Sequence, residues 1–470
     1  MTTPPPECPA HGLGADGIRR LYGPEAENDA SGLYERLRAE HGAVAPVLLH
    51  GDLPAWLVLG YRENLDVLRT PSRFSSDSRR SRAVEEGKVG PEHPLAPIVA
   101  WQPMANFSDG EEHKRLRGAI TDSLARFNRH GIRRYVTRFS HLLADDFAGA
   151  GRADLVSQFA EHLPMLVVTQ LFGLPEEYGP RLVDAVRDLM KGTETAVASN
   201  EIISTVLREL VQLKHREPGY DFASWLIEHQ SQLSDEEVTE HLRHFLIAAH
   251  QTTSILIANM LHMVLTDPRF RGNLSGGHMT LPNALEHVLW TEPPLSVVPA
   301  RYATGDTELG GQLIKKGDMI LLGVRAGNAD PAIRPDLSVP MHGNGSHLAF
   351  SAGPHECPGQ DIGRAIADTG IDVLLSRLPD LRLAVPEDEV KWSSTWMSRH
   401  LVALPVEFTP RKPRQEESTE TTRRAAAPLP EQAPLLPEAV PAAAHGSAGE
   451  PVQKRTTWWG AFKGWLKQRL

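Results

Sequence analysis

The order of apolar and polar positions predicts a mainly helical chain with smaller β-sheet regions. Its longest regular stretch starts at Ser234-Asp235-Glu236-Glu237, a capping box. From there an apolar 3.6-residue periodicity predicts one helix to about Leu265, before Asp267-Pro268. About thirty residues at 1.5 Å each span roughly 45 Å, long enough to cross a whole domain. Thr252 and Thr253 interrupt the apolar stripe of this helix with two hydroxyl groups.

Strand patterns lie on both sides of the long helix. Residues 43–49 and 55–59 are apolar runs separated by a Gly-Asp turn, which predicts a hairpin. Residues 301–322 form a second strand-rich module, and residues 133–230 are mostly helical by pattern. Together these elements predict one domain over residues 21–410.

The two ends of the chain differ in composition from this domain. Residues 1–20 contain prolines and no apolar run, so we expect a flexible N-terminus without a signal peptide. Residues 411–452 are rich in Pro, Ala, Glu and Thr, which predicts a disordered linker. Residues 453–470 predict a basic, aromatic amphipathic helix. Such a helix fits an anionic membrane surface, the protein's own body or an acidic partner.

Composition narrows the class of protein. The chain has 470 residues, 41% hydrophobic and 23% charged, and a formal net charge of −10. This balance is typical of a globular protein and gives no basic excess for nucleic acid. Two cysteines argue against a disulfide framework and for a reducing compartment, so we expect a cytoplasmic protein. No run of apolar residues is long enough for a membrane span.

One of the two cysteines, Cys357, lies in a Gly- and Pro-rich loop over residues 350–360, directly before a helical pattern over residues 361–378. Backbone N–H groups at a helix N-terminus favour the thiolate, the form that binds a metal. Gly353 and Gly359 permit a tight turn and the close approach of a flat group. One thiolate cannot hold zinc or an iron–sulfur cluster, but it is enough as an axial ligand of haem iron. A buried, inert cysteine is the alternative.

The loop resembles the haem-binding signature of the cytochrome P450 superfamily, with Ser351 where that family usually has a glycine. The matching residues, in order, are Phe350, Gly353, His355, Cys357 and Gly359. The resemblance covers roughly residues 20–410. It implies the cytochrome P450 fold as a single catalytic domain, haem b as cofactor, Cys357 as the iron ligand, and Phe350 and Gly359 beside the cofactor.

A second part of the resemblance concerns the haem propionates. His113 and Arg117 are four residues apart on a predicted helix and therefore share a face. Two such donors suit a carboxylate, although a solvated charged face is the alternative. By resemblance, this pair holds a propionate together with Arg301 and His355.

The threonine segment of the long helix, residues 248–253, resembles the oxygen-binding groove of the family. The resemblance places Ala248 beside the haem and makes Thr252 the residue that hydrogen-bonds dioxygen and relays protons. The alternative is a threonine bonded to its own helix four residues back. Gln251 stands where the family usually has an acid, so it can hydrogen-bond but cannot ionise, and we expect proton delivery to be altered or to run through water.

The family's Glu-x-x-Arg pair is missing. His287-Val288-Leu289-Trp290 stands in its register, and residues 336–346 lack the usual partner arginine. Removing one member of a buried charged network costs about 3–5 kcal/mol, whereas replacing the whole set with neutral groups can cost little. We therefore expect His287 and Trp290 to pack as neutral replacements. In this respect the chain resembles an unusual streptomycete-like group of P450s.

The resemblance implies a haem-thiolate monooxygenase that inserts one atom of O2 into a small organic substrate. Electrons would come from ferredoxin and an NAD(P)H-dependent ferredoxin reductase. The alternative is a catalytically altered haem protein that acts as a sensor or as a membrane-associated signalling partner. Residues 74–105, which lie over the substrate pocket in the family, have no periodicity and do not identify the substrate.

Overall fold

The computed structural model describes residues 17–414, except 91–92, 94, 175–181, 183–184, 187, 190–195, 272–279 and 338–342. Its α-helices are α1 Pro24–Asn28, α2 Ala30–His41, α3 Tyr61–Arg69, α4 Arg82–Glu85, α5 Ala96–Val99, α6 Gly110–Ala125, α7 Arg129–Ala148, α8 His162–Phe172, α9 Ala196–Arg216, α10 Phe222–Ile227, α11 Asp235–Thr266, α12 Pro268–Arg271, α13 Leu281–Thr291, α14 Val324–Asn328 and α15 Gln360–Arg377. Its strands are β1 Arg19–Arg20, β2 Val44–Leu49, β3 Leu53–Val58, β4 Phe74–Ser75, β5 Arg152–Asp154, β6 Val297–Ala303, β7 Thr307–Leu309, β8 Gln312–Ile314, β9 Met319–Gly323, β10 Arg382–Leu383, β11 Trp392–Ser394, β12 Arg399–Leu401 and β13 Pro405–Glu407.

The largest sheet has the strand order β1-β2-β3-β9-β6-β4. The predicted hairpin is confirmed as β2 and β3, which pair antiparallel and turn through Gly51 at φ 76°. Every residue of β2 and β9 is buried, which explains why these strands read as continuous apolar runs rather than alternating ones. A three-stranded sheet and two hairpins complete the β-structure.

The helices pack around a large apolar core beside this sheet. The predicted long helix is confirmed as α11, 32 residues long. The Ser234 hydroxyl accepts the Glu237 N–H at 3.1 Å, and the Glu237 carboxylate accepts the Ser234 N–H at 2.8 Å. Both halves of the capping box are thus formed, so local sequence fixes where α11 begins. The helix after the cysteine loop, α15, packs along α7 and against α11.

Both ends of the predicted domain need correction. Arg19 and Arg20, assigned above to the flexible N-terminus, form β1 and pair parallel with Val47 and Leu48. Residues 411–414, assigned above to the linker, also lie against the domain, because the Arg411 N–H donates to the Ala148 carbonyl and the Arg414 N–H donates to Asp145. Pairing with β2 and these bonds to α7 hold the two short segments in place.

Several predictions fall outside the described residues. They are the disorder of residues 1–16, the remainder of the linker and the amphipathic helix at 453–470. Within the part of the chain that the structure describes, no helix is both long and apolar enough to cross a membrane.

Candidate active site

The cysteine loop connects two short 3-10 turns, Leu348–Phe350 and Gly353–His355, to the start of α15. The Cys357 N–H donates to the Phe350 carbonyl at 2.8 Å, which closes the loop, and Cys357 is a free thiol. Burial raises the pKa of this thiol, although the Gly359 N–H and the Arg117 guanidinium oppose the change. Burial therefore opposes the effect of the helix N-terminus on which the sequence argument relied. A coordinated cation deprotonates such a thiol.

Two positions in the loop require an unusual backbone. Ser351 has φ 65° and ψ −164°, a region that is nearly exclusive to glycine. This is the position where the P450 signature usually has glycine, so the serine is strained. Gly353 has φ 68°, and a Cβ there would meet the Leu68 carbonyl oxygen at 2.5 Å. Position 353 therefore requires glycine because of both its positive φ and the close Leu68 carbonyl. At position 351 a side chain fits, and only the backbone conformation is strained.

The predicted propionate-binding residues form a buried cationic cluster, made up of His113, Arg117, Arg301 and His355. The imidazole rings of His113 and His355 have centroids 4.1 Å apart. His355 Nε2 lies 3.0 Å from the Ser76 hydroxyl and 3.4 Å from an Asp109 carboxylate oxygen. His113 Nε2 is buried and has no hydrogen-bond partner among the described residues. The nitrogen without a partner therefore belongs to a residue that the sequence analysis predicted to bind a haem propionate.

Arg301 reaches the cluster from β6. The register of β6 against β9 shifts between Val298 and Arg301, and Ala300 has φ 69°. Such a bulge redirects the following side chain. The guanidinium is buried and donates to the Ala300 carbonyl at 3.0 Å. It forms no ion pair with a carboxylate of the described residues, and burial lowers its pKa to about 10.

The electrostatics of the cluster favour an anion. Burial lowers the pKa of His113 to about 4, and the charges of His355, Arg117 and Arg301 act in the same direction. Arg117 donates to the Glu356 carbonyl beside Cys357, and burial lowers its pKa too. The guanidinium groups of Arg117 and Arg301 thus carry the positive charge of the cluster, because the pKa values of both histidines are lowered, and Asp109 is the neighbouring carboxylate. The arrangement fits a flat cofactor that brings two further carboxylates, as haem does.

The threonine segment of α11 shows the local bond that sequence analysis gave as the alternative. The Thr252 hydroxyl donates to the Ala248 carbonyl at 2.8 Å, and the Ser254 hydroxyl donates to the His250 carbonyl at 2.7 Å. His250 itself is directed elsewhere, because its Nε2 lies 2.8 Å from the Glu161 carbonyl. Gln251 is half-buried in this segment. Two successive bonds of this kind loosen the helix locally.

Helix α11 crosses the start of α15 closely. A Cβ built at Gly363 would lie 3.7 Å from the Thr253 hydroxyl, and one built at Gly359 would lie 3.3 Å from the Phe245 ring. The absence of a side chain at Gly359 therefore leaves room for the Phe245 ring of α11. The threonine segment and the cysteine loop thus belong to one region of the molecule.

The region of the missing Glu-x-x-Arg pair contains the expected neutral contact and, in addition, an ion pair that was not expected. Trp290 Nε1 donates to the Asn344 carbonyl at 2.8 Å, so a neutral indole does bind the segment before the cysteine loop. One residue before the motif position, however, Glu286 forms an ion pair with Arg364 and contacts His347. Sequence analysis missed this charged group. The only sequence signal for this ion pair was Glu286 itself, an acidic residue next to the missing motif that has no lysine or arginine near it in α13.

Known proteins resemble this chain over most of its length, although no protein-family model matches it. It is 30% identical to 2-hydroxy-5-methyl-1-naphthoate 7-hydroxylase of Streptomyces carzinostaticus over 80% of this chain and 95% of that protein. It is 31% identical to the cytochrome P450 monooxygenase PikC of Streptomyces venezuelae over 80% and 90%. The structure of CYP154C4 from Streptomyces sp. ATCC 11861 superposes with TM-score 0.76 and 27% identity, covering 83% of this chain and 98% of that one.

The fold and these relatives define an oxidoreductase of the haem-thiolate monooxygenase class. The chain belongs to the cytochrome P450 family, and its fold is the cytochrome P450 fold. The family implies haem with cysteine as the iron ligand and the use of a small-molecule substrate with redox partners. The sensor alternative finds no support among the relatives.

Proposed function

We propose that Cys357 ligates the iron of haem b in this monooxygenase and that the cationic cluster of His113, Arg117, Arg301 and His355 binds the two propionates. Ala248, Phe350 and Gly359 would contact the cofactor. The chain would then be a working member of the unusual P450 group without Glu-x-x-Arg.

The observation that carries this proposal is that, among the described residues, His113 Nε2 has no hydrogen-bond partner and the Arg301 guanidinium has no ion pair, although both side chains are buried. Leaving a buried cation without an ion pair is costly, so a fold retains it where an anion binds. The unpartnered imidazole nitrogen adds a second group that gains a partner from a carboxylate. Both groups lie in the cluster that surrounds the cysteine loop.

When bound, haem with a thiolate ligand supplies the activation of dioxygen. Thr252 holds its own proton at the Ala248 carbonyl, and its oxygen retains lone pairs that can accept from a donor. The Gln251 amide can orient water but cannot release a proton by ionising. We therefore assign Thr252 and Gln251 to the hydrogen-bonding of water at the reaction site, with solvent as the proton source.

Family membership implies redox partners, and we propose that ferredoxin and an NAD(P)H-dependent ferredoxin reductase supply the electrons for turnover. The substrate would be a small organic molecule of secondary metabolism. We also propose a cytoplasmic location, supported by the low cysteine content. Binding of the 453–470 segment to a membrane surface or a protein is a separate proposal.

The direct test is the carbon monoxide difference spectrum of the reduced, full-length protein. We expect a thiolate-type spectrum from the natural protein and its loss in Cys357→Ser. A thiolate-type spectrum that survives Cys357→Ser would overturn the ligand assignment. Turnover with ferredoxin and reductase then tests the redox partners, with ferredoxin omitted as the control.

A further inference from the structure

A buried acidic side chain, Glu286 of α13, lies beside the segment that leads into the cysteine loop. Its side chain is 12% exposed, and that of His347 is 1% exposed. Arg364 of α15 forms an ion pair with one carboxylate oxygen of Glu286. His347 Nε2 lies 3.2 Å from the other carboxylate oxygen. Three segments that are distant in sequence therefore meet at one carboxylate.

The hydrogen bonds around Glu286, Arg364 and His347 indicate which nitrogen of His347 carries a proton and whether Glu286 is ionised. His347 Nδ1 accepts the Ala349 N–H at 3.2 Å. Since Nδ1 accepts this hydrogen bond, the proton of the imidazole ring lies on Nε2, which donates to Glu286. Burial acts to raise the pKa of Glu286, but the hydrogen bonds from His347 and Arg364 outweigh it, and the pKa is lowered. The carboxylate is thus ionised, and its pair with Arg364 carries both charges.

The cluster is continuous with the backbone of Cys357. The Arg364 guanidinium carbon lies 4.9 Å from the centroid of the Phe350 ring, a cation–π contact. The His347 ring contacts the same phenyl group, with centroids 5.7 Å apart. The Phe350 carbonyl in turn accepts the Cys357 N–H at 2.8 Å. A shift of Arg364 would therefore reach the cysteine through one aromatic side chain.

Neutral side chains also bind the segment before the cysteine loop, separately from the Glu286–Arg364 ion pair. Besides the Trp290 bond to Asn344, the Asn328 side chain accepts the Leu348 N–H at 2.8 Å and donates to the Leu289 carbonyl at 3.0 Å. These bonds tie the segment to α13 without charge. Loss of Glu286 would thus leave the fold anchored and change chiefly the setting of Phe350.

We propose that the Glu286–Arg364 ion pair, together with His347, positions Cys357 as the iron ligand in place of the Glu-x-x-Arg pair that α13 lacks. The inference rests on the haem ligation proposed above. Removing the charge of Glu286 leaves the guanidinium of Arg364, whose side chain is 26% exposed, without its ion pair, and the contact between Arg364 and Phe350 is then no longer held from α13. Glu286, Arg364 and His347 act through Phe350, so they are positioning residues.

The test compares two conservative substitutions, one in α13 and one in α7. Each removes the acidic partner of an arginine in α15, and the two arginines, Arg364 and Arg377, lie towards opposite ends of that helix. Glu286→Gln keeps the size of the side chain and removes its charge. Asp145→Asn breaks a similarly buried pair, in which Arg377 Nη2 lies 2.8 Å from Asp145. We expect Glu286→Gln to lose most of the thiolate-type carbon monoxide spectrum in favour of the thiol type. Asp145→Asn should lower the unfolding temperature and leave the spectrum thiolate-type.

The outcomes separate this inference from the proposed function. A natural protein without a thiolate-type spectrum overturns the haem ligation and, with it, this inference. A thiolate-type natural protein whose Glu286→Gln variant also stays thiolate-type overturns the positioning role alone. Should Glu286→Gln fail to fold, Arg364→Gln and Arg364→Lys decide. We expect a thiol-type spectrum for the first and a thiolate-type spectrum for the second, because lysine keeps the charge, and identical spectra overturn the inference.

Discussion

His113 and His355 bring their imidazole rings to a centroid separation of 4.1 Å from two parts of the chain, α6 and the cysteine loop. Neither ring gains an ionic partner from the other, since both would carry the same charge when protonated. Burial is the main cause that lowers the pKa of His113, and the charge of His355 adds to it. Burial also lowers the pKa of His355, although the neighbouring Asp109 carboxylate opposes the change, so burial favours the neutral form of both rings.

The first prediction concerns pH. The pKa of His113 is lowered from 6.5 to about 4 in the folded chain. The unfolded chain therefore binds more protons between these values, so the contribution of His113 to stability is complete above pH 6.5 and is lost as the pH falls towards 4. We expect the haem-free protein to lose up to about 3 kcal/mol over this range. His113→Gln should flatten that part of the curve in urea unfolding, and an unchanged curve would contradict the assignment.

The second prediction concerns Arg301. Replacing this buried guanidinium by Leu removes a charged donor to the proposed propionate, worth about 1.5–3 kcal/mol. We expect haem to bind roughly tenfold to a hundredfold more weakly. The haem-free protein should become no less stable, because no carboxylate loses its ion pair. Haem titration and urea unfolding measure the two effects. Equal loss of both would indicate a purely structural arginine.

The third prediction concerns the strained serine. Ser351→Gly relieves a backbone conformation that a side chain disfavours, so we expect a gain of about 1–3 kcal/mol in the free energy of unfolding. Ala352 is the matched neighbour, with φ −156° in the extended region. Ala352→Gly should lower stability by about 0.5–1 kcal/mol. Chemical denaturation measures both variants, and a loss in both would show that position 351 is unstrained.

The fourth prediction concerns Thr252. Thr252→Val keeps the shape of the side chain and removes the hydroxyl, whereas Thr252→Ser keeps the hydroxyl. We expect the valine variant to form less product for each NAD(P)H consumed, and the serine variant to stay near the natural ratio. Loss of general acid–base assistance lowers rates by about 10²–10⁴-fold, which sets the upper limit of the effect. Equal ratios in both variants would exclude the hydroxyl from proton handling.

Much of the fold follows from local sequence. The capping box at Ser234 and the Asp-Pro after Thr266 fix the limits of α11, and the Gly51 turn fixes the hairpin, because each signal lies within a few residues of its effect. β1 could not be predicted in the same way. Two arginines have no strand signal of their own, and they become a strand by pairing with Val47 and Leu48.

The sequence predicted those residues of the candidate site that belong to motifs of the cytochrome P450 family. Cys357, His113 and Arg301 follow from the resemblance, and the structure brings the cationic residues together. The Glu286–Arg364 pair was not predictable because its members are 78 positions apart and neither belongs to a motif. The raised pKa of Cys357 also escaped the sequence argument, since burial depends on the packing of the whole loop.

The last described residues give the chain beyond them a fixed starting point. The Arg414 N–H donates to an Asp145 carboxylate oxygen at 3.2 Å, and Arg414 Nη1 lies 2.6 Å from His141 Nε2, so residue 414 lies against α7. This point is beside the C-terminal end of α15, about 25 Å along the helix axis from the cysteine loop. Whatever follows Arg414 is therefore covalently attached beside the helix pair α7 and α15, and not beside the cysteine loop.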